Sequence, residues 1–177
     1  VLAPAYDISQ TYGREVKKAV LENNSPEMEK ALSTVLNYCV APVVLDENMD
    51  CAAYYDADRM ELAVNPGYPD NEAFAAIAAE VAHSRFHAKG VNVHYSRAEC
   101  ELDAQSVSCI LCRRFGVERD MPDLSHLGEL YGGWAMPEVR QALDCVQKMS
   151  KNMVNSIEKN IAPPVHTRGG SVKRPER

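Results

Sequence analysis

Residues 74–90, FAAIAAEVAHSRFHAKG, leave this chain little choice of local structure. At about 3.6 residues per turn, Phe74, Ile77, Ala78 and Val81 form an apolar stripe, while Ala79, Glu80, His83 and His87 stack along another side. The spacing predicts a helix with two imidazoles and a carboxylate on one face. In the register of a zinc-peptidase helix, H-E-x-x-H, the five residues are Ala79, Glu80, Val81, Ala82 and His83. That pattern works because two imidazoles four residues apart reach one tetrahedral ion, and the Glu after the first polarises a bound water. Glu80 and His83 keep the separation of base and second ligand, but alanine stands where the first imidazole belongs. The other register, His83 to His87, restores the histidine pair; it also puts Ser84 in the base position and moves an ion about 5–6 Å along the helix.

A third ligand is sought on the next helix. Ser96-x-x-Glu99 fits a capping box that would start it, which makes Glu99 structural. Along residues 97–115, Cys100, Ala104, Val107 and Leu111 form an apolar row, and Glu101 borders it together with Gln105 and Ser108. Spacing alone leaves Glu101 open between a metal ligand and a solvated acid. His94, in the connection between the two helices, is a further imidazole that could stand in for the absent one.

The remaining chain supplies a scaffold. Residues 1–11 form an extended lead-in, and residues 12–22 have moderate helical character. Ser25-Pro26-Glu27 is a strong helix start, and the helix it opens runs to about residue 39, with Met28, Ala31, Leu32, Val35 and Leu36 buried. Three β segments follow, at residues 43–45, 51–55 and 60–64, with Asp56-Ala57-Asp58-Arg59 as a turn, and an antiparallel sheet is the natural expectation. Asp70 or Asn71 should cap the histidine helix, Lys89-Gly90 should end it, and Gly116 should end the next. Residues 125–131 read as a short helix, and a long last helix from Pro137 to about residue 160 carries Val139, Leu143, Val146, Met149, Met153 and Ile157 as its stripe.

At 177 residues and 46% hydrophobic content the chain can bury one core without staples. Six scattered cysteines are expected to be reduced, with Cys109 and Cys112 as two core thiols one turn apart. No apolar run reaches the roughly 20 residues of a membrane span, and a cytoplasmic protein without a signal peptide is expected. A first residue of Val suggests a segment of a longer polypeptide whose flanking domains share the work. The net charge is −6; the tail holds Arg168, Lys173, Arg174 and Arg177 against Glu176, a local +3, which leaves −9 on everything before it. So acidic a body repels nucleic acid, and only the tail from residue 162 could contact DNA, unless it is simply a flexible linker.

Several stretches together resemble the ArdC/LtrC-type peptidase domain of plasmid and conjugative-element proteins, related to the ImmA/IrrE family. YDISQT at residues 6–11 resembles the lead into that domain, Tyr54-Tyr55-Asp56 with Met60-Glu61-Leu62 its sheet hairpin, and EVAHSRFH its HELAHAxLH helix. ELDAQSV from Glu101 resembles its E-x-x-A segment, and the last two helices, from LYGGW onward, are also similar. The resemblance runs from Tyr6 to about residue 161 and implies an α+β, zincin-like, gluzincin-type core over residues 12–161, with helices around a three-stranded antiparallel sheet. It further implies zinc as cofactor, Glu80 as general base, His83 and Glu101 as second and third ligands, and a ligand at position 79. A peptide or protein strand would lie on the sheet edge at Met60, Leu62 and Val64.

Because Ala79 cannot be that ligand, the expectation is a pseudo-peptidase, an interaction module of a mobile-element protein connected with antirestriction. One alternative is an active zinc peptidase using His87 or His94 as replacement ligand. Another is a DNA-associated module acting through the basic tail.

Overall fold

The computed structural model describes residues 19–88, 95–120, 125, 129 and 132–162. The expected lead-in at 1–11, most of the 12–22 and 125–131 helices, Lys89-Gly90, His94 and the basic tail from residue 163 lie outside them. The described part of 12–22, residues 19–22, is not helical. Helix α1 spans Pro26–Leu36, strands β1, β2 and β3 span Val43–Leu45, Ala53–Asp56 and Glu61–Val64, and helices α2, α3 and α4 span Asp70–His87, Arg97–Phe115 and Met136–Ile161. Among the described residues, then, the fold is α+β, with four long helices and one small sheet. No helix among them is long and apolar enough to cross a membrane.

Local chemistry explains most of the boundaries. Ser25 Oγ accepts the Met28 N–H at 3.1 Å and Pro26 opens α1. The helix stops at Leu36, short of residue 39, and Tyr38 turns away so that its hydroxyl donates to the Asn152 carbonyl on α4 at 3.0 Å. On α1 the buried set is Met28, Ala31, Thr34 and Val35; Leu32 and Leu36 pack at the margin of the core. Asp56 Oδ1 accepts from the amides of Asp58 and Arg59, the Asx turn that reverses the chain between β2 and β3, and Met60 takes up the reversal with a φ of 52°. Pro69 precedes α2 without a side-chain cap, and Asp70 is instead tied to the Asn24 amide at 2.7 Å. The expected capping box on α3 is absent: Ser96 makes no side-chain cap bond, and Glu99 is exposed.

The sheet order is β1-β3-β2, with β2 antiparallel to β3 and β1 parallel to it. An all-antiparallel sheet does not form, because β3 inserts between two strands that are neighbours in sequence. The connection after β1 makes room for it and is anchored by Asn65 Nδ2, which donates to the carbonyls of Met49 at 2.8 Å and Glu47 at 3.3 Å. This corrects the expected substrate edge. Leu62 and Val64 are buried on the central strand and Met60 precedes it, so the free edges belong to β1 and β2.

Helix α2 is the centre of the molecule, packing on α1, α3, β2 and β3. An amphipathic stripe understates its burial: Ala79, Glu80, Ala82, His83 and Ser84 are buried as well as Phe74, Ile77, Ala78 and Val81. Ala73, Ala78 and Ala82 fit where neighbours press closely on the helix, whereas Ala75 and Ala76 are half-buried. The core joins Phe74, Ile77 and Val81 with Tyr55 and Leu62 from the sheet, Val107, Leu111 and Phe115 from α3, and Met153 and Ile157 from α4. On α4 the stripe is buried only from Val146 onward; Leu143 is exposed.

Gly116 ends α3 at φ 67°, and its amide bonds back to the Cys112 carbonyl. A Cβ there would stand 3.3 Å from Val20 Cγ1 in an unfavourable backbone region. Gly116→Ala should therefore lower stability by about 1 kcal/mol, seen as a reduced urea midpoint at unchanged slope.

Candidate functional site

The residues singled out on α2 and α3 do converge. His83 is fully buried, and its Nε2 lies 3.1 Å from Glu101 Oε2 across the α2–α3 contact. Its Nδ1 lies 2.9 Å from the Tyr95 hydroxyl. The His83 hydrogen bond holds the Glu101 carboxyl down at about 2, with help from Gln105 and Arg97 and against the opposing effect of burial. Glu101 is thus an acceptor at neutral pH, so Nε2 carries the proton and donates to it. Burial raises the Tyr95 pKa, keeping the phenol protonated, and its O–H donates to Nδ1. Both imidazole nitrogens are occupied in this arrangement.

Because the folded-state value for Glu101 lies below its ordinary 4.5, the contact stabilises the fold above pH 4.5 and is lost as pH falls towards about 2. The stability difference between the parent and Glu101→Gln should shrink across that interval. Urea melts at successive pH values would show it, and a constant difference would contradict the assignment. The side chain is 42% exposed, so solvent screening keeps the effect small.

Glu80 has a different partner from any expected in the sequence. Its carboxylate accepts two bonds from the Arg97 guanidinium, Nη2 to Oε1 at 2.6 Å and Nη1 to Oε2 at 3.0 Å, while Oε2 also accepts the Tyr55 N–H at 2.7 Å. Arg97 Nη1 further donates to the Tyr55 carbonyl at 3.3 Å, and its Nε sits 3.8 Å from Glu101 Oε2. Burial works against the Arg97 charge, but Glu80 and Glu101 more than offset it and raise the guanidinium pKa. The outer face of the guanidinium lies on the Tyr54 ring, 4.7 Å from its centroid.

His87 does not join His83. Its Nδ1 lies 2.9 Å from the Tyr55 hydroxyl, and its ring stacks on Tyr95 at 4.6 Å, so Tyr95 packs against both histidines. The α3 row noted in the sequence continues the polar network: Gln105 Nε2 donates to Glu101 Oε1 at 2.8 Å, Arg119 Nη2 to Gln105 Oε1 at 2.8 Å, and Arg119 Nη1 to Ser108 Oγ at 2.5 Å. An open groove of about 1040 Å³ runs beside this network between α2 and α3, with Ala75, Ala76 and Ala79 on one wall, Gln105 and Cys109 on the other, and Glu80 also lining it. Ala79 therefore lines the groove. None of the six cysteines forms a disulfide, and burial pushes the Cys112 thiol up to about 11. Cys112 is thus a core thiol, whereas Cys109, expected to be one, is half-buried and lines the groove.

Among the described residues this donor set does not fit a catalytic zinc ion. Such sites use three protein ligands, whereas the described ones here are two, His83 and Glu101, and a guanidinium already sits against both carboxylates. Among the described residues no group of three or more His, Cys, Asp or Glu side chains is placed to hold an ion.

Little in the sequence marks Tyr95 or Arg97 as part of the site. Only the four-residue spacing of Arg97 and Glu101 signals an interaction there, and the carboxylate that matters more to Arg97 is Glu80 on another helix.

No protein-family description matches the chain, and no curated protein matches it. Among solved structures, the Mn(II)-bound crystal structure of the antirestriction ArdC protein from the R388 plasmid aligns with it at a TM-score of 0.46 and 19% identity. The alignment covers 85% of this chain and 56% of that one, so the chain spans little more than half of its length.

Proposed function

We propose that this chain is a zincin-like domain that keeps the peptidase scaffold without its metal chemistry and serves as a peptide- or protein-binding module in an antirestriction-type protein of a mobile element. The observation that carries the loss of chemistry is the pairing of Glu80 with Arg97 beside an alanine at position 79. A general base must be free to take a proton from water; this carboxylate has both oxygens committed to a buried ion pair and a backbone amide. The resemblance of EVAHSRFH and ELDAQSV to the peptidase segments supports the scaffold. The groove that reaches Ala79 supplies a concave surface between two helices, the kind of place where a peptide is held.

Zinc content of the purified protein, measured by mass spectrometry after equilibration with micromolar zinc, tests this. The expected result is far less than one ion per chain, with no hydrolysis of a random peptide library. Near-stoichiometric zinc that His83→Ala and Glu101→Ala both abolish would overturn the proposal. It would restore the active-peptidase reading, with His87 or His94 as the third ligand.

A further inference from the structure

We propose that Arg97 is a built-in cation that holds the degenerate site closed, taking over the charge that a metal ion would bring and sealing the outer edge of β2. This rests on the proposed loss of metal chemistry and names the residue that enforces it.

The charge follows from geometry. Glu80 and Glu101 are the two carboxylates that a metal at this place would face, and the guanidinium lies 2.6 Å from one and 3.8 Å from the other. A divalent ion entering beside His83 would meet a fixed positive charge a few ångströms away in a half-buried setting, where like charges repel strongly. Restoring an imidazole at position 79 would complete the ligand count and still leave that cation in place.

The edge follows from strand register. Tyr55 lies opposite Leu62 in β2–β3, and the Asn65 amide bonds the Ala52 carbonyl, so hydrogen-bonded pairs fall at 52, 54 and 56. The N–H and C=O of Tyr55 therefore point away from β3, where an added strand would pair with them. Glu80 accepts from that N–H at 2.7 Å and Arg97 donates to that C=O at 3.3 Å, so the ion pair makes the two bonds an incoming peptide residue would make.

The test is zinc binding by titration calorimetry on the full chain for the parent, Ala79→His, Ala79→His/Arg97→Gln and Ala79→His/Arg97→Lys, with folding checked by circular dichroism. Ala79→His is expected to bind no more zinc than the parent although three ligands are then present. Ala79→His/Arg97→Gln should bind on the order of a hundredfold tighter than Ala79→His, and the Lys variant, which retains a cation, should stay with Ala79→His. Ala79→His leaves the ion pair intact and keeps the proposal refutable even where a double variant does not fold: tight binding by that single variant overturns the role of Arg97. A folded Ala79→His/Arg97→Gln that gains nothing overturns it too. Zinc in the parent would instead count against the proposed function itself.

Discussion

Arg97→Met is expected to lower the stability of the fold by about 3–5 kcal/mol, the usual cost of leaving one member of a buried ion pair without its partner. The Glu80 side chain is 8% exposed, so once Arg97 is gone only water at its groove edge could stand in for the two guanidinium bonds. Changing Glu80→Gln together with Arg97→Met removes both charges, and the amide oxygen still accepts the Tyr55 N–H. The double variant should therefore lose only about 1–2 kcal/mol. Guanidinium chloride unfolding followed by circular dichroism measures both. Equal losses in the single and double variants would show that the stranded carboxylate is not what sets the cost.

Leu62→Ala should cost about 2–5 kcal/mol. Leu62 is fully buried on the central strand, opposite Val43 on one side and Tyr55 on the other, and a small residue leaves a cavity that these short strands and α2 cannot collapse around. The same residue, placed on a substrate-binding edge by its resemblance to a peptidase hairpin, would instead change ligand affinity and leave the melting temperature alone. A thermal melt separates the two, and an unchanged midpoint would contradict its place in the core.

How far the sequence reveals the fold depends on how local the deciding interactions are. Ser25, Pro26, the Asp56 turn and Gly116 act within a few residues, and the elements they bound are legible to within a few positions. The pairing of β1 with β3 is not, because strand order depends on which edge of the β2–β3 hairpin β1 joins, and three short apolar runs carry no record of it. The continuous burial of α2 is hidden for a related reason: alanine fits an exposed helix face as readily as a crowded one.

The candidate site shows the same division. Glu80, His83, Glu101, Gln105 and Ser108 can be placed from helical spacing, since each is fixed by its own helix. Arg97 and Tyr95 escape because their partners lie on other elements and their roles exist only once α2, α3 and β2 have met. An arginine near a helix start looks like an ordinary surface residue until the carboxylate it covers is known.

If the domain lacks a metal as proposed, the pair of Glu80 and Arg97 also limits the mutational routes by which it could acquire one. Exchanging Arg97 first leaves a folded chain with a stranded carboxylate, at a cost comparable to a large share of the roughly 5–15 kcal/mol that holds a domain together. Exchanging Ala79 first adds an imidazole beside a fixed positive charge and yields no new activity on which selection could act. On that reading neither single step is rewarded, so the ion pair would work as a ratchet: metal chemistry would depend on two changes arriving together.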